Sequence, residues 1–152
     1  MNRKYKIKAL HELAMQAAKQ YSRAESALIE ILQKIDAEKT FRDLGQPSLF
    51  AYAVNELKLS ESTAYNFINV ARKAMQVPAL QQQISSGELS VCKARKIVPV
   101  LTLQNQEEWI EKDKILPSRK LEQEVARIAP RESQPERMHY VTDTRVSLSL
   151  HL

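Results

Sequence analysis

Leu49-Phe50-Ala51-Tyr52-Ala53-Val54-Asn55-Glu56-Leu57-Lys58-Leu59-Ser60-Glu61-Ser62-Thr63-Ala64-Tyr65-Asn66-Phe67-Ile68-Asn69-Val70-Ala71-Arg72-Lys73-Ala74-Met75 holds two helical patterns separated by almost nothing. Val54, Leu57, Leu59, Ala64, Phe67, Ile68 and Ala71 recur at spacings that close a small apolar core between two helices. Lys58 and Leu59 alone lie between the first, about 49–57, and Ser60, whose hydroxyl suits it to cap the second, about 61–75. Two short helices joined this tightly are the ingredients of a helix-turn-helix, whose first helix braces the second. Many such turns place glycine, with a positive φ, where this chain has Lys58. Lysine either adopts that conformation at about 1 kcal/mol or takes a slightly different turn.

In a helix-turn-helix the second helix lies in the major groove of duplex DNA. Glu61, Ser62, Tyr65, Asn66 and Asn69 fall off its apolar face here, and side chains such as serine and asparagine hydrogen-bond base edges. Arg72 and Lys73 lie further along, where bases meet phosphates and set position without reading sequence. The same pattern also fits a helical hairpin inside an α bundle, with Asn66 and Asn69 on a solvated face.

Outward from this stretch the chain reads as helices. Apolar residues at Ile7, Leu10, Ala14, Ala17 and Tyr21 predict a first helix over 5–21. Ser22 and Glu25 form a capping-box pattern, and Ala24, Leu28, Ile31, Leu32 and Ile35 predict a second helix running toward Phe41 and Leu44. Gly45-Gln46-Pro47-Ser48 is a turn, with Ser48 suited to cap the helix that follows. Beyond the central pair, Pro78 starts a short helix that ends at Gly87, and Ser90 opens another to about Leu101, bent or shortened by Pro99. Thr102 and Ser118 are expected to cap two more, the first carrying Trp109 and Ile110, the second Leu121, Val125 and Ile128 before Pro130. From residue 131 the texture changes, and Arg145 to Leu152 alternates like a half-buried strand. With no partner strand in view, it is expected to start a further domain that the chain lacks, or to add to another chain.

The composition agrees with a helical reading. A chain of 152 residues is one ordinary domain, and two glycines with six prolines leave little for a turn-rich β fold. The expectation is an all-α domain over 1–130, with a linker and strand-like segment over 131–152. One cysteine and three scattered histidines offer neither a disulfide nor a metal-ligand cluster. No apolar run approaches a membrane span, and a cytoplasmic location is expected. The net charge of +5 is concentrated: residues 1–23 carry +5 and residues 60–101 carry +3, while 24–59 and 102–130 are slightly acidic. Such blocks suit an anionic partner.

Several residues invite a functional reading and a plainer one. Cys92 sits near a helix start without a histidine beside it and is expected to be buried. Trp109 is expected in the core, and Glu107, Glu108, Glu111 and Asp113 on a solvated helix face. The N-terminal lysines suit phosphates or a membrane surface, or simply solvate the terminus.

Two family resemblances bear on residues 44–130. Leu44-Gly45-Gln46-Pro47-Ser48-Leu49-Phe50-Ala51-Tyr52, with Leu57-Lys58-Leu59-Ser60-Glu61-Ser62-Thr63-Ala64-Tyr65, resembles the N-terminal helical region of a group of bacterial HNH endonucleases. In that group an arginine often stands where this chain has Asn66 or Phe67. Val77-Pro78, Ser86-Gly87-Glu88-Leu89-Ser90 with Ala94-Arg95, and Leu116-Pro117-Ser118-Arg119 with Glu122 resemble the helices after the DNA-reading unit of ParB-like partition proteins. Both resemblances imply a helix-turn-helix at about 49–75 supported by helices to Pro130. The histidine and asparagine metal site of the endonucleases belongs to a later domain, and its motif is not in these residues, nor is the nucleotide-binding arginine motif of the partition proteins. Val146–Leu152 resembles the start of the segment that leads to the nuclease.

The expected partner is double-stranded DNA, with a homodimer as a possible assembly and no membrane, metal or cofactor. The candidate DNA-binding residues are Ser60, Ser62, Tyr65, Asn66 and Asn69, with Arg72, Lys73, Lys93, Arg95 and Lys96 toward phosphates. No catalytic residue is identified. The sequence leaves open whether the chain is the targeting part of an HNH endonuclease-like protein lacking its nuclease domain, a stand-alone transcriptional or partition-like regulator, or a helical protein-interaction module.

Overall fold

Asn2 accepts a hydrogen bond from the Lys4 amide at 3.2 Å and starts α1 (Arg3–Glu38), which runs 36 residues, about 54 Å, without a break. The structure is a computed structural model and describes residues 2–129, 137–142 and 145–149. The two N-terminal helices expected from the sequence are thus one. Ser22 and Glu25 lie in mid-helix, and neither glycine nor proline interrupts residues 3–38. A capping box favours a helix start, but it cannot stop a helix that is already running. Lys39, at φ 58°, ends α1 and leads into the short α2 (Thr40–Asp43).

Gly45 turns the chain at φ 78°, and Ser48 accepts from the Ala51 amide at 3.0 Å to open α3 (Leu49–Asn55). The next helix is α4 (Glu61–Gln76). Val77 separates it from α5 (Pro78–Ser85), whose proline sits in the first turn, where its missing N–H costs nothing. Ser90 caps α6 (Val91–Ile97), which stops ahead of Pro99.

The last two helices start away from where the sequence placed them, α7 three residues later and α8 one residue earlier. Thr102 and Asn105 bond reciprocally, each side chain accepting the other's amide at 3.3 and 2.7 Å, and Asn105 also donates to the Val100 carbonyl. This closed loop delays α7 to Gln106–Ile115. Ser118 is the first residue of α8 (Ser118–Ile128), not its cap, because Pro117 already holds the extended conformation before the helix.

Residues 2–129 are therefore all-α, as composition predicted. Outside them, β1 (Arg137–Thr142) and β2 (Arg145–Ser149) pair antiparallel, with Arg137 opposite Ser149 and Tyr140 opposite Val146. The strand expected to stand alone has a partner. Tyr140, Val141 and Thr142 are strand-forming residues close upstream, and the strand finds its neighbour there. The part of the expected strand at 150–152 lies outside the described residues.

The core is one continuous cluster with α4 at its centre, packed against α1, α3, α5 and α6. Ala64, Phe67, Ile68, Val70, Ala71 and Ala74 cover its buried face. Ile97 and Leu101 extend the core to Trp109, Ile110, Leu121 and Val125 at the α6–α7–α8 end. Trp109 is buried as expected. Cys92 is exposed, against expectation, because the buried stripe of α6 is Val91, Ala94 and Ile97 and Cys92 falls outside it. Asp113, expected on a solvated face, is buried because it lies one turn beyond Trp109 on the same side of α7.

Candidate nucleic-acid interface

The α3–α4 turn is closed by backbone bonds. The Glu56 and Leu57 amides donate to the Tyr52 carbonyl at 2.9 and 3.3 Å, and the Leu59 amide reaches the Ala53 carbonyl at 3.1 Å. Between them Lys58 stands at φ 59°, in the left-handed region. Of the two outcomes open to a lysine at this place, the chain takes the strained one. The α5–α6 connection uses a related closure, with the Leu89 amide donating to the Gln83 carbonyl at 3.1 Å, Gly87 at φ 78° and Ser90 as cap. Two successive helix pairs thus share one way of turning.

Ser60 accepts from the Thr63 amide at 3.2 Å and its hydroxyl also bonds Thr63 Oγ1 at 2.8 Å. Its oxygen is therefore occupied in starting the helix. Along α4, Glu61, Ser62, Tyr65 and Arg72 are exposed, and Asn66 and Asn69 are half-buried at the margin of that stripe. Neither asparagine is sealed beneath other side chains. Ser62, Tyr65, Asn69 and Arg72 follow one another at helical intervals, so the structure brings four of the ten candidates onto a single solvent-facing strip with Asn66 beside it.

The candidate bases have mixed surroundings. Arg72 donates through Nε and Nη2 to the two carboxylate oxygens of Asp36 at 2.9 and 3.2 Å. This pair holds the Asp36 carboxyl below its ordinary range, with Lys39 at 3.2 Å adding to the effect, and raises the Arg72 guanidinium. Lys73 donates to the Leu101 carbonyl at 3.1 Å, tying α4 to the chain after α6. Lys96 is nearly buried and lies 3.7 Å from Glu122. Lys93 and Arg95 are exposed on α6. Lys93 and Lys96 also face the buried Asp113, whose carboxylate oxygens have no hydrogen-bond partner. Burial pushes that carboxyl up to about 7, and the two lysines offset only part of the rise.

Three residues that sequence reasoning passed over shape this region. Asp36 partners Arg72 from 36 positions away, and Gln33 donates to the Ala71 carbonyl at 2.9 Å and to Gln81 Oε1 at 2.7 Å. Gln46 ties the loop before α3 to Asn55 and Glu56. No short-range pattern announces such contacts. A depression of about 310 Å³ between α1 and α4 is lined by Leu32, Leu49, Ala71 and Met75 with the Asp36–Arg72 pair at its side. Among the described residues no group of three or more histidine, cysteine or acidic side chains is placed to hold a metal ion, and no helix is long and apolar enough to cross a membrane.

Comparison with protein-family models, with curated proteins and with solved structures returns no match to this chain.

Proposed function

We propose that this chain binds double-stranded DNA through α3 and α4, as the targeting part of an HNH endonuclease-like protein. The observation that carries the reading is the turn: Lys58 in the left-handed region, closed onto Ala53 and followed by the Ser60 cap, projects a helix whose polar strip faces solvent. On that strip Ser62, Tyr65, Asn66 and Asn69 face the base edges, and Ser60 acts by fixing the helix start. Phosphates are met by Lys93 and Arg95, with Arg72 and Lys96 contributing when their carboxylate partners release them. Lys58, exposed in the turn, joins them. The endonuclease assignment rests on the resemblance of residues 44–65.

A mobility-shift titration on a mixed-sequence duplex tests the reading at several salt concentrations. With three to five phosphates neutralised, log affinity falls against log salt with a slope of about −2.7 to −4.5. Asn69→Ala with Tyr65→Ala, in a protein of unchanged helical signal, weakens binding; Lys93→Glu with Arg95→Glu flattens the salt slope. Absence of duplex binding at low salt, or binding indifferent to all four substitutions, refutes it.

A further inference from the structure

The first half of α1 stands apart from the bundle. Every residue from 2 to 21 is exposed, including Ile7, Leu10 and Tyr21, the last at 70%. A lone helix of that length is marginal in water, and nothing in this stretch is buried against the rest of the fold. Yet the stretch is not random in its apolar content. Ile7, Leu10, Ala14, Ala17, Tyr21, Ala24, Leu28, Ile31 and Ile35 alternate at intervals of three and four along the whole of α1. That is an unbroken heptad seam.

The seam is a different face from the one α1 turns toward the bundle. Bundle contacts come chiefly from Ile29 and Leu32, both fully buried, with Leu28 and Ile35 packed against the edge of the core, whereas Ile31 on the seam is 51% exposed and Ala24 is exposed. Leu28 and Ile35 lie between the two faces and are half-buried. The seam is therefore fully open from Ile7 to Ala24 and again at Ile31, and is partly covered by the core at Leu28 and Ile35.

From this we infer that α1 pairs with α1 of a second copy of this chain as an antiparallel two-helix coiled coil, centred between Ser22 and Arg23. Two features of the chain select this occupant and this direction. The first is volume. With the two helices opposed, Ala14 meets Ile31 of the second copy, Ala17 meets Leu28, Tyr21 meets Ala24, and Leu10 meets Ile35. Three of the four layers then join one small and one large side chain, which is how a close-packed interface is filled. A parallel pair would stack Ala14, Ala17 and Ala24 each on itself, leaving voids, and would force Tyr21 against Tyr21. The second is charge. Residues 3–22 carry a net +4 and residues 23–38 a net −2. The antiparallel arrangement sets the basic half of each helix beside the acidic half of its neighbour, and the parallel one sets like against like.

The test uses the full chain with Cys92→Ser, so that an introduced thiol is unique. Sedimentation equilibrium gives a dimer, and Ala17→Glu, which sets a carboxylate against Leu28 of the neighbour, weakens it about 100-fold or more. Lys19→Gln, on the opposite side of α1, leaves the dimer within about threefold. A spin label at Glu12→Cys, also away from the seam, reports direction: parallel pairing separates the labels only by the width of the pair, about 20–25 Å, and antiparallel pairing adds about 32 Å along the axis from 21 residues of helical rise, for about 40 Å in all. A monomer at all accessible concentrations overturns the inference, and then the seam serves another partner. A dimer indifferent to Ala17→Glu, or labels at the short distance, overturns it as well. None of these outcomes depends on whether the chain binds DNA.

Discussion

Asp113→Asn should make this protein more stable at pH 8 and change it little at pH 4. Asp113 is 1% exposed on α7, and neither of its carboxylate oxygens has a hydrogen-bond partner. Its carboxyl moves from the usual 3.8 to about 7 in the fold, because the charged form loses water and gains only distant help from Lys93 and Lys96. The sign follows from linkage. A carboxyl with a raised folded pKa binds its proton more tightly in the native state, so its contribution is whole below about 3.8 and is lost as pH rises through about 7. At about 1.36 kcal/mol for each unit of displacement, the loss between pH 4 and pH 8 is about 4 kcal/mol. Asparagine has nothing to ionise and escapes it. Urea unfolding followed by helical circular dichroism at pH 4, 6 and 8 measures the difference between the two proteins, which removes the background from other groups such as Glu25, itself raised by partial burial. A gap of about 2–4 kcal/mol at pH 8 that closes toward pH 4 is the expected result. Curves that stay parallel across this range would show that the carboxyl is hydrated or paired in solution, and the reasoning from burial would fail.

Other substitutions probe the turn and its supports. Lys58→Gly removes the cost of a left-handed lysine, about 1 kcal/mol, and after the added freedom of the unfolded chain is counted is expected to raise stability by up to about 0.6 kcal/mol, while Lys58→Val lowers it; thermal unfolding separates the two. Ser60→Ala strips the cap of α4 and should cost about 1 kcal/mol in urea unfolding, with Ser60→Asp restoring most of it. The Asp36 carboxyl is held low by Arg72, so the stability it contributes is present above its unfolded value near 3.8 and fades as pH falls through the lower folded value. Asp36→Asn should therefore cost up to about 1 kcal/mol at pH 7, the pair being partly open to solvent, and progressively less as pH falls below 3.8.

Much of the helical layout was legible because its signals are short-ranged. Ser48, Ser60 and Ser90 all cap the helices they were expected to cap, and Pro78 begins the helix it was expected to begin. The errors arose where a local signal competed with its surroundings. At Ser22 a sound capping pattern lost to the continuity of an uninterrupted helix. At Thr102 the reciprocal bond with Asn105 held the helix start back by several residues. Asp113 was grouped with its acidic neighbours by composition, although its spacing from Trp109 already assigned it to the inner face. Within the candidate interface, the polar strip from Ser62 to Asn69 could be traced from the sequence, and the partners of Arg72 and Lys73 could not.

Residue order alone determined that this chain is helical over most of its length, where α3 and α4 begin, and that a lysine stands in the turn between them. These depend on φ preferences, caps and apolar spacing, all acting within a few residues. Tertiary structure decided which bases are already engaged, by bringing Asp36 to Arg72 and the Leu101 carbonyl to Lys73, and which apolar face of α1 the bundle covers. An amphipathic helix carries no mark of what will cover each side of it. Only the packing of the other helices shows that Ile29 and Leu32 are inside, that Leu28 and Ile35 are partly covered, and that the seam from Ile7 to Ala24 is left open.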